Sequence, residues 1–262
     1  MLFPPNAQPY HMPLTLVLLP GLDGTGILFE PLLDELPPDL KAYVIPLPND
    51  SPMDYGSLVP TIASSLPTDT HFILLGESFS GPLALMVAAP RPRGLVGVIL
   101  CASFIRNPTY LPSFVSHLAR SWIFRMSPIF IQAKVLFAGY SSPRLRSLLA
   151  RAHSSVSAEV MAQRVRALLS VDCTSELVTC PVPIAYLRGS RDRVVPKRNW
   201  RQIMTINPAV REFTIRAPHL VLQTQPRAAV RAIMAFAEEI GGLRIRNQDD
   251  PSREDSGNRI SD

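Results

Sequence analysis

Hydrophobic residues in this chain come in short, dense runs. Residues 14–19, 42–47, 71–75, 96–100 and 182–187 are each five or six positions long and largely apolar, and a sixth run, 210–215, alternates apolar with polar. Runs this short and this continuously apolar predict strands buried on both faces, as in a parallel sheet. Between them the apolar spacing turns helical, as in 82–89 and the amphipathic stretch 227–240. Alternation of this kind predicts an α/β fold: a mostly parallel sheet flanked by helices. One interruption stands out. Between the fourth and fifth runs, 110–119, 129–138, 144–153 and 158–169 all read as helices, which predicts a helical insertion.

The third run leads directly into Gly76-Glu77-Ser78-Phe79-Ser80-Gly81, and a helical stretch follows at once. Strand, tight turn and helix form the setting of a nucleophile elbow, where small residues two before and two after a serine let the chain turn sharply. Ser78 is therefore the candidate nucleophile, the alternative being a serine that caps a buried helix. The fifth position is Ser80 where glycine is usual. A serine needs a base, and the base an orienting carboxylate. Asp192 follows the fifth run, His219 follows the sixth, and both fall on loops at strand ends. The order Ser78, Asp192, His219 is serine, acid, histidine. Other histidines read as surface or packing residues: His11 in a proline-rich leader, His71 at a strand start, His117 and His153 in the inserted helices. Rival acids are Asp23, Glu77 and Asp172, and Asp192 is preferred to them for its place after a strand.

After the first run comes Pro20-Gly21-Leu22-Asp23-Gly24-Thr25-Gly26. A glycine-rich loop here brings backbone N–H groups close to a reacting carbonyl, and those of Leu22 and Phe79 are the expected oxyanion hole. The spacing G-x-x-G-x-G is not that of a dinucleotide loop, and no acidic residue ends the second run. With these segments in place, the chain resembles the alpha/beta-hydrolase superfamily from about residue 13 to residue 240. The LPGLDGTG and GESFSG segments are similar to the hydrolase domain of plant phytyl ester synthase and its esterase, lipase and thioesterase relatives. The resemblance implies an alpha/beta-hydrolase core over 1–104 and 170–240 and a helical cap over 105–169 that covers the serine. The superfamily's leading antiparallel strands are missing from this reading. It further implies hydrolysis of a carboxylic ester through an acyl-enzyme, with acyl transfer and thioester hydrolysis as alternatives. A ligand sensor on a hydrolase scaffold is the non-enzymatic one.

Composition adds bounds. At 262 residues and 47% hydrophobic content the chain suits one medium domain with an insertion. Cys101, Cys173 and Cys180 have no metal-ligand spacing and are expected to be free thiols, and neither metal nor organic cofactor is expected. Residues 1–13 hold four prolines and no Lys or Arg, unlike a signal peptide, and the run after them is too short to span a membrane, so a cytoplasmic protein is expected. The polar tail 241–262 is expected to be disordered. The net charge of +5 is uneven: residues 105–167 carry nine Lys or Arg against Glu159 alone. Either these cations solvate the outer faces of cap helices, or they meet an anionic partner such as an acyl carrier protein, coenzyme A or an acidic lipid surface. No nucleic-acid-binding motif is present. The expected substrate is a small acyl ester or thioester. Apolar positions 111–130 of the cap are expected to line an acyl pocket or pack the cap.

Overall fold

A computed structural model describes residues 14–109 and 136–241. Six strands, β1 Leu14–Leu19, β2 Lys41–Val44, β3 His71–Glu77, β4 Leu95–Cys101, β5 Ile184–Gly189 and β6 Arg211–Ile215, form one sheet in the order β2-β1-β3-β4-β5-β6. Every pairing is parallel. The helices are α1 Glu30–Leu33, α2 Tyr55–Ser64, α3 Ser80–Ala88, α4 Pro143–Ser154, α5 Ala158–Ser170, α6 Thr174–Thr179, α7 Lys197–Ile206, α8 Val221–Thr224 and α9 Pro226–Glu239.

Side chains alternate across the sheet because successive Cβ atoms point to opposite faces. Val17, Leu19, Leu74, Val98, Leu100 and Tyr186 pack on one side with α2, α3 and α7. Leu16, Leu18, Ile73, Leu75, Ile99 and Leu187 pack on the other with α1, α8 and α9. Both faces are covered, so β1, β3 and β4 are apolar almost throughout. The edge strands β2 and β6 are half-exposed and more polar.

All six expected strands are present within two residues of their expected starts. Two of the differences at their ends have identifiable reasons. β2 stops at Val44: Ile45 still donates to Leu18 O at 3.0 Å, but Pro46 has no N–H with which to continue. β3 runs on to Glu77, because Gly76 and Glu77 still pair with Leu100 and Cys101 of β4. The strand order reverses between β1 and β3, and the carboxyl ends on either side of such a switch point form the natural crevice of an open parallel sheet. Ser78 and the loop after β1 both lie there.

Of the expected insertion, 144–153 and 158–169 are helical as α4 and α5. Those at 110–119 and most of 129–138, with the leader containing His11, the segment before β1, His117 and the tail 242–262, lie outside the described residues. Among the described residues, no helix is long and apolar enough to cross a membrane. All three cysteines are free, Cys101 and Cys173 buried and Cys180 half-buried.

Candidate active site

Ser78 follows the last residue of β3 at φ 49°, a left-handed conformation that costs a non-glycine residue of order 1–3 kcal/mol. Neighbours hold it there. Its N–H donates to Cys101 O at 2.8 Å, and its carbonyl accepts from Ser103 Oγ at 2.6 Å. Gly76 is required, since a Cβ there would sit 2.2 Å from Ser80 O. A Cβ on Gly81 would come within 1.8 Å of Ser103 Oγ. Ser80, where glycine is usual, has room for its side chain and uses it: the buried hydroxyl donates to Pro20 O at 2.5 Å.

His219 Nε2 lies 3.0 Å from Ser78 Oγ, and His219 Nδ1 lies 2.9 Å from Asp192 Oδ2. The His219 side chain is 4% exposed and that of Asp192 9%. Asp192 Oδ1 accepts from the N–H groups of Val194 and Val195, which leaves Oδ2 for the imidazole. The His219 loop packs closely on the end of β5, where a Cβ on Gly189 would meet Pro218 O at 2.2 Å. Burial pulls the His219 pKa down, but the charge and hydrogen bond of Asp192, with the Glu77 charge, outweigh it and the net direction is up. The three predicted side chains therefore form one hydrogen-bonded series.

Of the expected rivals, Asp23 and Glu77 line the cavity beside Ser78 but neither bonds to His219, and Asp23 and Asp172 have other partners. Asp23 binds Thr25, accepting from its N–H at 2.9 Å. Asp172 pairs with Arg106 at 3.0 Å. The N–H groups of Leu22 and Phe79 engage no acceptor among the described residues, and both residues line the same cavity as Ser78. Phe79 is fixed by Tyr55, which stacks on its ring at 4.6 Å and donates from its hydroxyl to Phe79 O at 2.8 Å. The cavity, about 370 Å³, is mostly apolar, with Leu149, Met161, Val165 and Leu168 of α4 and α5 among its walls. Among the described residues, no group of three His, Cys, Asp or Glu side chains is arranged to hold a metal ion.

A profile of the alpha/beta hydrolase family matches residues 16–233. The chain belongs to that family. A pimeloyl-(acyl-carrier protein) methyl ester esterase of Xanthomonas oryzae pv. oryzae is 26% identical over 243 residues, spanning 84% of this chain and 94% of its own. Among solved structures, an esterase from Exiguobacterium antarcticum matches with a TM-score of 0.74 at 16% identity, covering 85% of this chain and 91% of its own. A bromoperoxidase from Bacillus anthracis matches with the same TM-score at 15% identity, covering 86% and 91%. These structural likenesses concern the fold.

Four features of this alpha/beta hydrolase escape a linear reading of the sequence. Glu77 is buried beside Ser78 and accepts from Gln223 Nε2 at 2.9 Å, a clasp between the elbow and the helix after His219. Burial raises its pKa to about 7, against the Gln223 hydrogen bond and with help from the Asp23 charge. His153, read as a surface or packing residue, lines the cavity. Arg144 and Arg151, counted with the basic face, lie across α1: Arg144 meets Asp34 at 2.7 Å and Glu30 at 3.1 Å, and Arg151 meets Glu30 at 3.5 Å. Arg164 is buried altogether. Only the elbow serine and the pattern after each strand are local signals. The other contacts join residues more than a hundred positions apart.

Proposed function

We propose that this chain is a serine hydrolase that cleaves carboxylic esters through an acyl-enzyme, with Ser78 as nucleophile, His219 as general base and acid, and Asp192 as the residue that orients the imidazole. The observation that carries this reading is the series Ser78 Oγ, His219 Nε2, His219 Nδ1, Asp192 Oδ2, at 3.0 and 2.9 Å, opening on an apolar cavity. Neutral His219 takes the Ser78 proton as the oxygen attacks the ester carbon. Negative charge then develops on the carbonyl oxygen, and the N–H groups of Leu22 and Phe79, which have no acceptor among the described residues, stabilise it, that of Phe79 aided by the amino end of α3. Imidazolium returns the proton to the departing alcohol, and a water activated by the same histidine releases the acid. Residues 105–169 serve as a cap over a core of 1–104 and 170–240.

The substrate class follows from the walls. An apolar cavity of this size suits an acyl chain of modest length or an equally apolar alcohol. The similarity to an esterase whose name specifies a carrier-borne acyl methyl ester supports a finer proposal, an ester whose acyl chain is carried by an acidic protein. Such a carrier would meet Arg191, Arg193 and Lys197, exposed on the loop and helix after β5 beside Val194 at the cavity wall. A cytoplasmic setting goes with free thiols. Acyl transfer and ligand sensing are favoured by no residue of the site. A panel of p-nitrophenyl esters of increasing chain length, run beside carrier-linked methyl esters and acyl-CoA thioesters, tests the proposal. No turnover of any of them, or a fluorophosphonate adduct away from Ser78, would overturn it.

A further inference from the structure

Arg164 lies in the middle of α5, in the inserted segment, yet it is only 1% exposed. No carboxylate lies within ion-pair distance of it among the described residues. A buried guanidinium without a counter-ion is expensive unless its donors are met. Here they are met by two loops, three acceptors being main-chain carbonyls and the fourth a side-chain amide oxygen. Nη1 donates to Leu22 O at 2.9 Å and to Asp23 O at 2.8 Å. Nη2 donates to Pro48 O and to Asn49 Oδ1, both at 2.8 Å. Burial lowers its pKa to about 10, so it stays charged at neutral pH.

The loop after β1 is shaped around this group. A Cβ on Gly24, which has φ +69°, would lie 2.5 Å from Arg164 Nη1. Gly24 N–H donates to Gly21 O at 3.0 Å, and Gly24 O accepts from Leu47 N–H at 2.8 Å. Every carbonyl from Gly21 to Gly24 thus has a donor, and two of the four come from Arg164. In a trans peptide the N–H points opposite to the preceding C=O. Tying down Gly21 O therefore aims the Leu22 N–H, and tying down Leu22 O and Asp23 O stops the loop from turning its carbonyls toward the reacting oxygen.

We propose that Arg164 is a positioning residue: from the inserted helix it presets the 21–24 loop, so that the Leu22 N–H meets the transition state already aligned. The inference rests on the esterase reading above. It makes docking of the inserted segment and stabilisation of the oxyanion one event.

The test compares wild type with Arg164→Lys, Arg164→Ala and Gly24→Ala on a short p-nitrophenyl ester. Thermal unfolding and Ser78 titration by a fluorophosphonate give the folded, competent fraction. Per competent enzyme, kcat should fall about 10- to 100-fold in Arg164→Lys, less than the roughly 10²–10³ lost with a hole donor itself. KM should stay nearly unchanged. Affinity for an alkylboronic acid, which forms a tetrahedral adduct at the serine, should weaken by the same factor. Ethylguanidinium should partly restore Arg164→Ala. Gly24→Ala, pressing on the same guanidinium from the other side, should show the same split, and its effect should not add to that of Arg164→Lys. Should Arg164→Ala not fold, Arg164→Lys and Gly24→Ala decide. Variants that lose only thermal stability, with kcat and boronic acid affinity per folded enzyme intact, would overturn the inference. Absence of wild-type turnover would instead fault the esterase reading.

Discussion

The elbow after β3 and the loop after β1 face each other across the switch point of the sheet and are stabilised in different ways. The elbow is held from close at hand. Its glycines make room for its own turn and for Ser103 at the end of the adjacent strand, and the strained Ser78 is bonded to Cys101 and Ser103. The β1 loop is held from far away in sequence, by a guanidinium 142 residues on from Leu22. A side-chain nucleophile needs one residue in one strained conformation, and a short motif can encode that. An array of backbone N–H groups needs its peptide planes fixed, which takes partners on the carbonyl side, and any part of the chain can supply them.

The largest expected effect lies on the elbow. Ser78→Ala should remove ester hydrolysis, by a factor approaching that of losing a whole triad, while thermal unfolding stays nearly unchanged, since only one cavity-facing oxygen is lost. A fluorophosphonate should label wild type at Ser78 alone. Labelling at Ser80 or Ser103, both committed to main-chain carbonyls, would mean that the elbow has been assigned to the wrong hydroxyl.

Next in size is Asp192→Asn, with a loss of roughly 10⁴-fold in kcat, because the imidazole would be held in the wrong tautomer. Asp23→Asn, whose carboxylate binds Thr25 and not His219, should lose far less. The pH profile sharpens the contrast. His219 must be neutral to take the proton, and its pKa is raised, so wild-type kcat/KM should climb through a value above 6.5. In Asp192→Asn burial dominates, and that limb should move to lower pH. An Asp23→Asn enzyme as damaged as Asp192→Asn would break the assignment of the acid.

Why the sheet and the Ser78, Asp192, His219 series were legible, and the clamps were not, is a matter of range. Strand runs announce themselves because both faces of the sheet are buried, and a residue just after such a run must lie at the sheet's carboxyl edge whatever the helices do. Arg164 gives no such signal. It sits beside one other arginine, Arg166, in an amphipathic helix, and helical spacing alone does not say that its side chain turns inward. Gln223 and Glu77 are equally silent, being 146 residues apart. Charge counting is limited for a related reason: it does not say that α1 brings Glu30 and Asp34 opposite Arg144 and Arg151.

Glu77 offers an effect of intermediate size, on stability. Its pKa of about 7 in the folded chain exceeds its ordinary 4.5. Between those values the folded chain holds a proton that the unfolded chain has lost, so stability falls as pH rises, by about 3 kcal/mol in all, and the full penalty stands above pH 7. Below pH 4.5 the effect vanishes. Glu77→Gln should flatten that slope, and its amide can donate to Gln223 Oε1, which is buried without a partner among the described residues. Denaturant unfolding at pH 5 and pH 8 checks this. The two proteins are compared with each other because His219, also raised, adds the same sign of dependence to both. Parallel stability curves would mean that Glu77 is ionised in the folded chain throughout.

The smallest effect is expected at the one residue shared by the two regions. Ser80 belongs to the elbow, and its hydroxyl binds Pro20 O, at the root of the β1 loop. Ser80→Ala leaves that buried carbonyl without its donor and should cost about 1–2 kcal/mol, since an orphaned buried acceptor costs more than the net worth of its bond. In a chain of this size that is a fall of several degrees in Tm. Activity should drop only a few-fold, because Arg164 still holds the carbonyls of Leu22 and Asp23. Ser80→Gly, which restores the usual elbow residue, should be no better than Ser80→Ala, for the hydroxyl and not the Cβ is what the site uses. If glycine were instead neutral, the Pro20 contact would count for nothing. The elbow and the loop would then be coupled only through the inserted segment.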